Sequence, residues 1–135
     1  MKTWPIVILI LCLTVVLVPT IAARPAAGAG VPKYDPATEA VFKGTVQEVK
    51  DHECPVSGTV GSHVMLKLDE TKTIEVHLAP VKFVKMYELT FAPGDQLEVT
   101  GSKIMLDGVE TIYAREVKRG NDTYTFRDKN GNPVW

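Results

Sequence analysis

The sequence predicts one small all-β domain behind a secretion signal, and three observations carry that prediction. From residue 40 onward, short runs alternate apolar and polar residues, which is the period of strands with one buried face. Gly, Pro, Asn and Asp separate these runs, as they do at turns between strands. The chain has 135 residues, so the part behind the leader has room for a single core.

The leader has the three parts of a signal peptide. Lys2 supplies the positive start, Ile6 to Val18 is an almost unbroken apolar run, and Pro19 ends it before a stretch of small residues. We expect residues 1–29 to be this signal peptide, and export to the periplasm or out of the cell. The candidate cleavage points follow Ala22, Ala23 and Ala29. After cleavage the chain has no predicted membrane span.

An uncleaved anchor is the alternative for the leader, because Trp4 to Ala23 is long enough to cross a bilayer of about 30 Å. Residues 30–39 are rich in Ala, Gly and Pro and are expected to be a flexible spacer, with the domain covering residues 40–135. Cys54 is then the one cysteine behind the leader, so no intramolecular disulfide is expected there.

Five strands and one short helix are expected. In chain order, the strands are residues 41–50, 63–69, 73–78, a bent fourth strand over 96–106, and 110–118. A loop is expected over residues 51–61, and a short helix or irregular lid over residues 80–89. Three strands, a helix and two strands is the order of the five-stranded Greek-key barrel called the OB-fold. The prediction is therefore an OB-fold-like barrel.

The second and third strands are expected to pair with their apolar faces in phase, because a slip of one residue would bury Glu75 and His77. The predicted pairs are Leu68 with Ile74, Leu66 with Val76 and Val64 with Leu78. On the outer face, this register puts Lys67 opposite Glu75 as an ion pair. It also puts Met65 opposite His77, with His63 diagonal to His77.

Several motifs of the chain resemble those of small exported bacterial OB-fold proteins, similar to the domain shared with magnetosome MamS/MamX-type proteins. They are residues 43–46 (KGTV), 75–80 (EVHLAP), 91–95 (FAPGD), 99–102 (VTGS) and 126–135 (FRDKNGNPVW). The resemblance implies the fold but names no activity. Some magnetosome relatives add Cys-x-x-Cys-His haem motifs. Since this sequence has none, a cytochrome role does not carry over.

The motifs and the charge pattern favour a protein that is not an enzyme. The sequence lacks a Gly-x-Ser-x-Gly motif and a glycine-rich phosphate loop followed by Lys. It has 15 Lys and Arg against 16 Asp and Glu, a net charge of −1, and the signs alternate along the chain. Because nonspecific nucleic-acid binding depends on clustered positive charge, nucleic acid is not an expected partner.

Our first interpretation is a non-enzymatic exported OB-fold binding module that acts in the cell envelope and needs no cofactor. OB-folds bind ligands on the face of strands two and three. The candidate binding residues on that face are His63, Met65, Lys67, Glu75 and His77, and the expected partner is an envelope protein or a small ligand.

The alternative interpretation is a periplasmic protein that binds copper or another soft metal. Imidazole, thioether and thiolate groups suit such metals, copper(I) above all. The candidate ligands are His63, Met65 and His77, with His52 or Cys54 as a further ligand from the preceding loop. The competing interpretation is that these are solvated residues on a strand face.

Overall fold

The computed structural model of the protein describes residues 30–135. The predicted signal peptide and its cleavage points therefore lie outside the described residues. Within residues 30–135, no helix has the length and apolar character needed to cross a membrane.

The described part of the chain is all-β, as predicted, with one short helix. Its elements are β1 (Glu39–Cys54), β2 (Thr59–Lys67), β3 (Thr73–Pro80), α1 (Val81–Met86), β4 (Gln96–Leu106), β5 (Val109–Arg119) and β6 (Asp122–Thr125). The short helix falls between the third and fourth strands, where the sequence predicts it. The sixth strand is additional to the five that were predicted, and it pairs with β5 from Glu116 to Arg119.

The strands form a closed ring. Their order in the sheet is β3-β2-β1-β4-β5-β6, and a further pairing of β3 with β5 joins the two sides. The β3–β5 pairing is parallel, whereas the other neighbours are antiparallel. Closure brings His77 of β3 beside Tyr113 of β5.

The hydrophobic core lies inside the ring, on the faces that the alternating pattern predicts. Val64 and Leu66 of β2 and Val76 of β3 are fully buried there. The rest of the cluster comprises Val46, Ile74, Leu78, Ala79, Leu97, Val99, Ile112, Ala114, Val117 and Phe126. Every strand pairing and every core residue of the described structure lies within residues 34–135, so we expect segment 30–135 to fold on its own.

The hairpin of β1 and β2 is longer than predicted. Residues 51–61, expected as a loop, mostly continue the two strands, and His52 pairs with Gly61 and Cys54 with Thr59. The turn is confined to residues 55–58 and ends at Gly58, which has a φ of +66°. The polar side chains of residues 51–53 hid this strand, since they point to solvent where the hairpin extends past the core.

The register of β2 and β3 differs from the prediction by two residues. Leu66 pairs with Ile74 and Val64 with Val76, so the apolar faces stay in phase. The loop of residues 68–72 is longer than expected because the Asp69 carboxylate accepts hydrogen bonds from two backbone N–H groups within it. The predicted ion pair between Lys67 and Glu75 is therefore wrong, and Lys67 pairs with Glu70 at 3.5 Å.

Part of the predicted spacer is ordered and packed. Residues Pro36–Thr38 form a 3-10 turn, which Asp35 caps by accepting from the N–H of Ala37 at 2.9 Å. Tyr34 is buried, and its hydroxyl donates to Glu39 at 2.5 Å. Residues 34–38 thus belong to the domain, because an aromatic ring within the Ala- and Pro-rich stretch supplies apolar surface to bury.

Candidate functional site

Three potential metal ligands meet on the outer face of the first three strands. Cys54 ends β1, His63 lies in β2, and His77 lies opposite His63 in β3. His63 and His77 alternate with core residues along their strands, as the sequence predicts, whereas Cys54, expected in a loop, ends a longer β1. They are nevertheless buried, with exposed fractions of 4 % for Cys54, 1 % for His63 and 0 % for His77. The interpretation of a solvated strand face is therefore wrong for these three residues.

Two parts of the chain cover this face. The turn after Cys54 brings the Ser57 hydroxyl to 2.9 Å from His77 Nε2. The C-terminal Trp135 lies on the other side of His77, with 6.0 Å between the ring centroids, and Tyr113 lies at 5.8 Å. The outer face of the ring is buried here because the turn that contains Ser57 and the segment that contains Trp135 pack onto it.

The spacing of the three donors fits one small metal ion. The ligand atoms of Cys54, His63 and His77 all lie within 4.8 Å of one another. Bonds of about 2.0–2.3 Å to nitrogen and sulfur require ligand atoms to be about 3.3–3.8 Å apart. Side-chain movements of about 1 Å or less would therefore close the three donors around an ion.

The hydrogen bonds of the two imidazoles leave nitrogen atoms available. His63 Nδ1 lies 3.1 Å from the carbonyl oxygen of Gly61, which can only accept, so Nδ1 carries the proton and Nε2 keeps its lone pair. His77 uses Nε2 toward Ser57, and its Nδ1 is buried with no hydrogen-bond partner among residues 30–135. One ring nitrogen held by the protein and one left free is the usual arrangement of a metal-binding histidine.

Gly61 leaves the space that the donors share. A Cβ atom at this position would lie 2.8 Å from Ser57 Oγ, 3.0 Å from His63 Cε1 and 3.2 Å from Cys54 Cβ. These contacts are shorter than ordinary van der Waals separations, so a side chain here would displace the groups around the site. The sequence shows that position 61 is a glycine, but it does not show which side chains surround that glycine in space.

Burial keeps the two imidazoles neutral. It lowers the pKa of His77 to about 3, and Coulomb interactions with the neighbouring basic groups of His63, Arg127 and His52 lower it further. The pKa of His63 is also lowered, first by burial and then by His52. A neutral imidazole is the form that binds a metal.

His52 and Glu75 form the exposed rim of the cluster. The His52 ring stacks on His63, with centroids 3.9 Å apart and planes at 6°. Its Nε2 lies 2.7 Å from Glu75 Oε1. The carbonyl of Glu53 and the carboxylate of Glu75 raise the pKa of His52. Glu75 Oε1 and the ligand nitrogens of His52 and His63 also lie within 4.8 Å of one another.

Two of the predicted site residues lie elsewhere. The observed register pairs Met65 with Glu75 instead of His77, and Lys67 with Thr73. Both side chains are half-buried. The sequence prediction thus names the Cys and His donors of the cluster. It places Met65 directly opposite His77, a position that His63 occupies in the structure. It missed the roles of Ser57 and Gly61, which no motif marks.

Fold and site together define a small all-β protein whose closed ring of strands has a buried thiol–imidazole cluster on its outer face. The chain belongs to the MamS/MamX magnetosome protein family, since the sequence model of that family matches residues 38–124. This confirms the resemblance predicted from the sequence. The matched residues include the whole thiol–imidazole cluster, whereas Arg127 and Trp135 lie beyond them. No curated protein matches the chain.

Proposed function

We propose that this chain is a non-enzymatic, exported OB-fold module that binds one soft metal ion, copper(I) first, through Cys54, His63 and His77. The observation that carries the proposal is the convergence of these three buried donors within 4.8 Å, one of them with an unpartnered Nδ1. Thiolate and imidazole are ligands that copper(I) accepts readily.

Charge balance favours copper(I) over a divalent ion. A copper(I) ion with one thiolate and two neutral imidazoles has no net charge, so the buried complex avoids a large desolvation cost. Zinc(II) would leave one positive charge there. The buried guanidinium of Arg127 would repel that charge. It packs on the Trp135 ring, which also lies beside His77. Zinc in proteins also prefers four ligands, and this cluster has three.

The OB-fold assignment is supported by the path around the ring, β1-β2-β3-β5-β4 and back to β1, with α1 between β3 and β4. Export is supported by the leader sequence, and we place the protein in the periplasm or outside the cell. In an oxidising compartment, a bound metal would protect the unpaired thiol of Cys54. The absence of hydrolase and nucleotide motifs from the sequence supports a role other than catalysis.

A competition titration tests the metal proposal. Segment 30–135 is titrated without oxygen with copper(I) against a chromophoric copper(I) chelator, and separately with zinc(II). We expect one equivalent of copper(I) to bind with a dissociation constant of about 1 µM or less, and zinc(II) to bind more weakly. Failure of the unmutated protein to bind copper(I) would refute the proposal. Tighter binding of zinc(II) would refute the choice of metal.

Matched variants locate the ligands. Cys54→Ser and His77→Gln should each weaken copper(I) binding by about a hundredfold or more, because each removes one of three metal bonds. Met65→Leu is the control, since Met65 lies on the same face of β2 but opposite Glu75, outside the proposed ligand set. Circular dichroism confirms that each variant is folded. Equal affinities for Cys54→Ser and Met65→Leu would contradict the ligand assignment.

Binding of an envelope protein or small ligand on the face of β2 and β3 stays a prediction. The burial of His63 and His77 reduces the accessible part of that face to residues such as Met65, Lys67 and Glu75. Charge-reversing variants Lys67→Glu and Glu75→Lys would disrupt such a partner without removing the three proposed metal ligands, so the two functions can be tested separately.

A further inference from the structure

Arg127 is a buried cation with no acidic partner among residues 30–135. Its exposed fraction is 5 %, and no carboxylate of the described chain lies within 4.0 Å of its guanidinium. The carbon of the guanidinium lies 4.9 Å from the ring centroid of Trp135, 5.5 Å from that of Tyr113 and 5.7 Å from that of Tyr34. These rings stabilise the cation but do not neutralise it.

Two hydrogen-bond donors at this position are unused. Arg127 donates from Nη1 to the carbonyl of Gly131 at 2.9 Å, but its Nε–H has no partner in the described part of the chain. The hydroxyl of Tyr113, which is 1 % exposed, also has no partner there. Since buried donors are nearly always paired in folded proteins, two orphans beside one uncompensated charge point to a missing acceptor.

Both residues line a groove of about 460 Å³ between three parts of the chain. Its other lining residues come from segment 31–34, from Pro55 and Val56 in the turn of the β1–β2 hairpin, and from segment 130–133. Lys33 is the second cation of this lining, and none of the lining residues is acidic. The volume lies within the range of small-molecule sites, about 300–1,000 Å³.

We propose that this groove binds a small organic carboxylate, whose oxygens accept from Arg127 Nε–H and from the Tyr113 hydroxyl. A carboxylate is planar and matches the edge of a guanidinium, and its single negative charge balances the single buried positive charge. The apolar body of the ligand would pack on Pro55, Val56 and the ring of Tyr34. This site shares no ligand atom with Cys54, His63 and His77, so it stands whether or not the metal proposal does.

Benzoate tests the proposal, with benzamide as the uncharged analogue of the same shape. Segment 30–135 is first stripped of metal on a chelating resin, because dissolved chelators such as EDTA are themselves carboxylates. Binding is measured by calorimetry and by the fluorescence of Trp135, the one tryptophan of this segment. We expect benzoate to bind at one equivalent and benzamide to bind at least about tenfold more weakly.

Two variants and one control assign the contacts. Tyr113→Phe removes only the unpaired hydroxyl, so the fold should be kept while benzoate affinity falls by about tenfold. Arg127→Lys keeps the charge but loses the Nε–H, and should weaken benzoate by a similar factor. Tyr87→Phe removes a hydroxyl from an exposed residue that follows α1 and does not line the groove, and should change nothing.

Four results would overturn the proposal: no benzoate binding up to about 10 mM, equal binding of benzoate and benzamide, tighter binding of inorganic phosphate than of benzoate, or equal affinities of Tyr113→Phe and Tyr87→Phe. Should Arg127→Lys fail to fold, Tyr113→Phe alone decides between a ligand site and a merely structural arginine.

Discussion

Metal-free protein should lose stability between pH 7 and pH 5, and His77 should account for most of that loss. This imidazole is buried, and its pKa falls from 6.5 to about 3 on folding. Between these values only the unfolded chain binds the proton. Wherever the unfolded state binds more protons than the folded state, the free energy of unfolding decreases as the pH is lowered. Acid therefore shifts the equilibrium toward unfolding.

The magnitude follows from the shift of the pKa. Each pH unit below 6.5 costs about 1.4 kcal/mol until the folded protein is protonated as well. From pH 6.5 to pH 5 the contribution of His77 is therefore about 2 kcal/mol. Acidic groups with lowered pKa values, such as Glu39, act mainly below pH 4.5, so this window isolates the histidines. His63 acts in the same direction as His77, since its pKa is also lowered.

Urea denaturation of segment 30–135 at pH 7 and pH 5, followed by Trp135 fluorescence, measures the effect. The segment is first stripped of metal on a chelating resin. His77→Gln keeps a hydrogen-bonding side chain for Ser57 but cannot titrate, so its loss between the two pH values should be smaller by about 2 kcal/mol. His52→Gln is the control. Because the pKa of His52 is raised, this residue opposes the loss of stability in acid, so removing it should not make the loss smaller. Equal acid losses for the unmutated protein and His77→Gln would refute the reasoning.

Three further predictions concern the site and the fold. Gly61→Ala places a methyl group 2.8 Å from Ser57 Oγ, so copper(I) affinity should fall by about tenfold in the competition titration, and an unchanged affinity would contradict the shared space at the site. Glu39→Gln removes the two-point pairing with Arg115 at 2.9 Å; since both are partly exposed, urea denaturation should show a loss of about 1 kcal/mol that shrinks in high salt. Phe126→Ala empties a fully buried core position and should cost about 3–5 kcal/mol by the same measurement, whereas a loss under about 1 kcal/mol would mean that the C-terminal segment does not seal the core.

Much of the fold could be predicted because apolar alternation is a local signal. The faces of β2 and β3 were right, since Val64, Leu66 and Val76 are all buried inside the ring. Their register was wrong by two residues. A shift of two keeps the same faces in phase, so the alternating pattern cannot detect it. The choice between the two registers depends on the loop. There Asp69 accepts two backbone hydrogen bonds and lengthens the turn.

The candidate site was harder to predict because the groups that bury it come from distant parts of the chain. Residue type suggested Cys54, His63 and His77 as soft-metal ligands, and strand pairing suggested that they share a face. Burial of that face depends on Ser57 and Trp135, the latter 58 positions beyond His77 in the sequence. No pattern in the sequence specifies such a contact.

The sequence by itself determined the all-β class, the position of the helix and the residue types of the thiol–imidazole cluster, because propensity and period act between near neighbours. Only the tertiary structure decided that His63 and His77 are buried on the outer face, and that Arg127 lies buried without an acidic partner among residues 30–135. Both depend on the C-terminal segment returning to cover the ring. Such a long-range contact changes the solvation of a side chain, and with it the pKa, the charge balance and the chemistry available at that position.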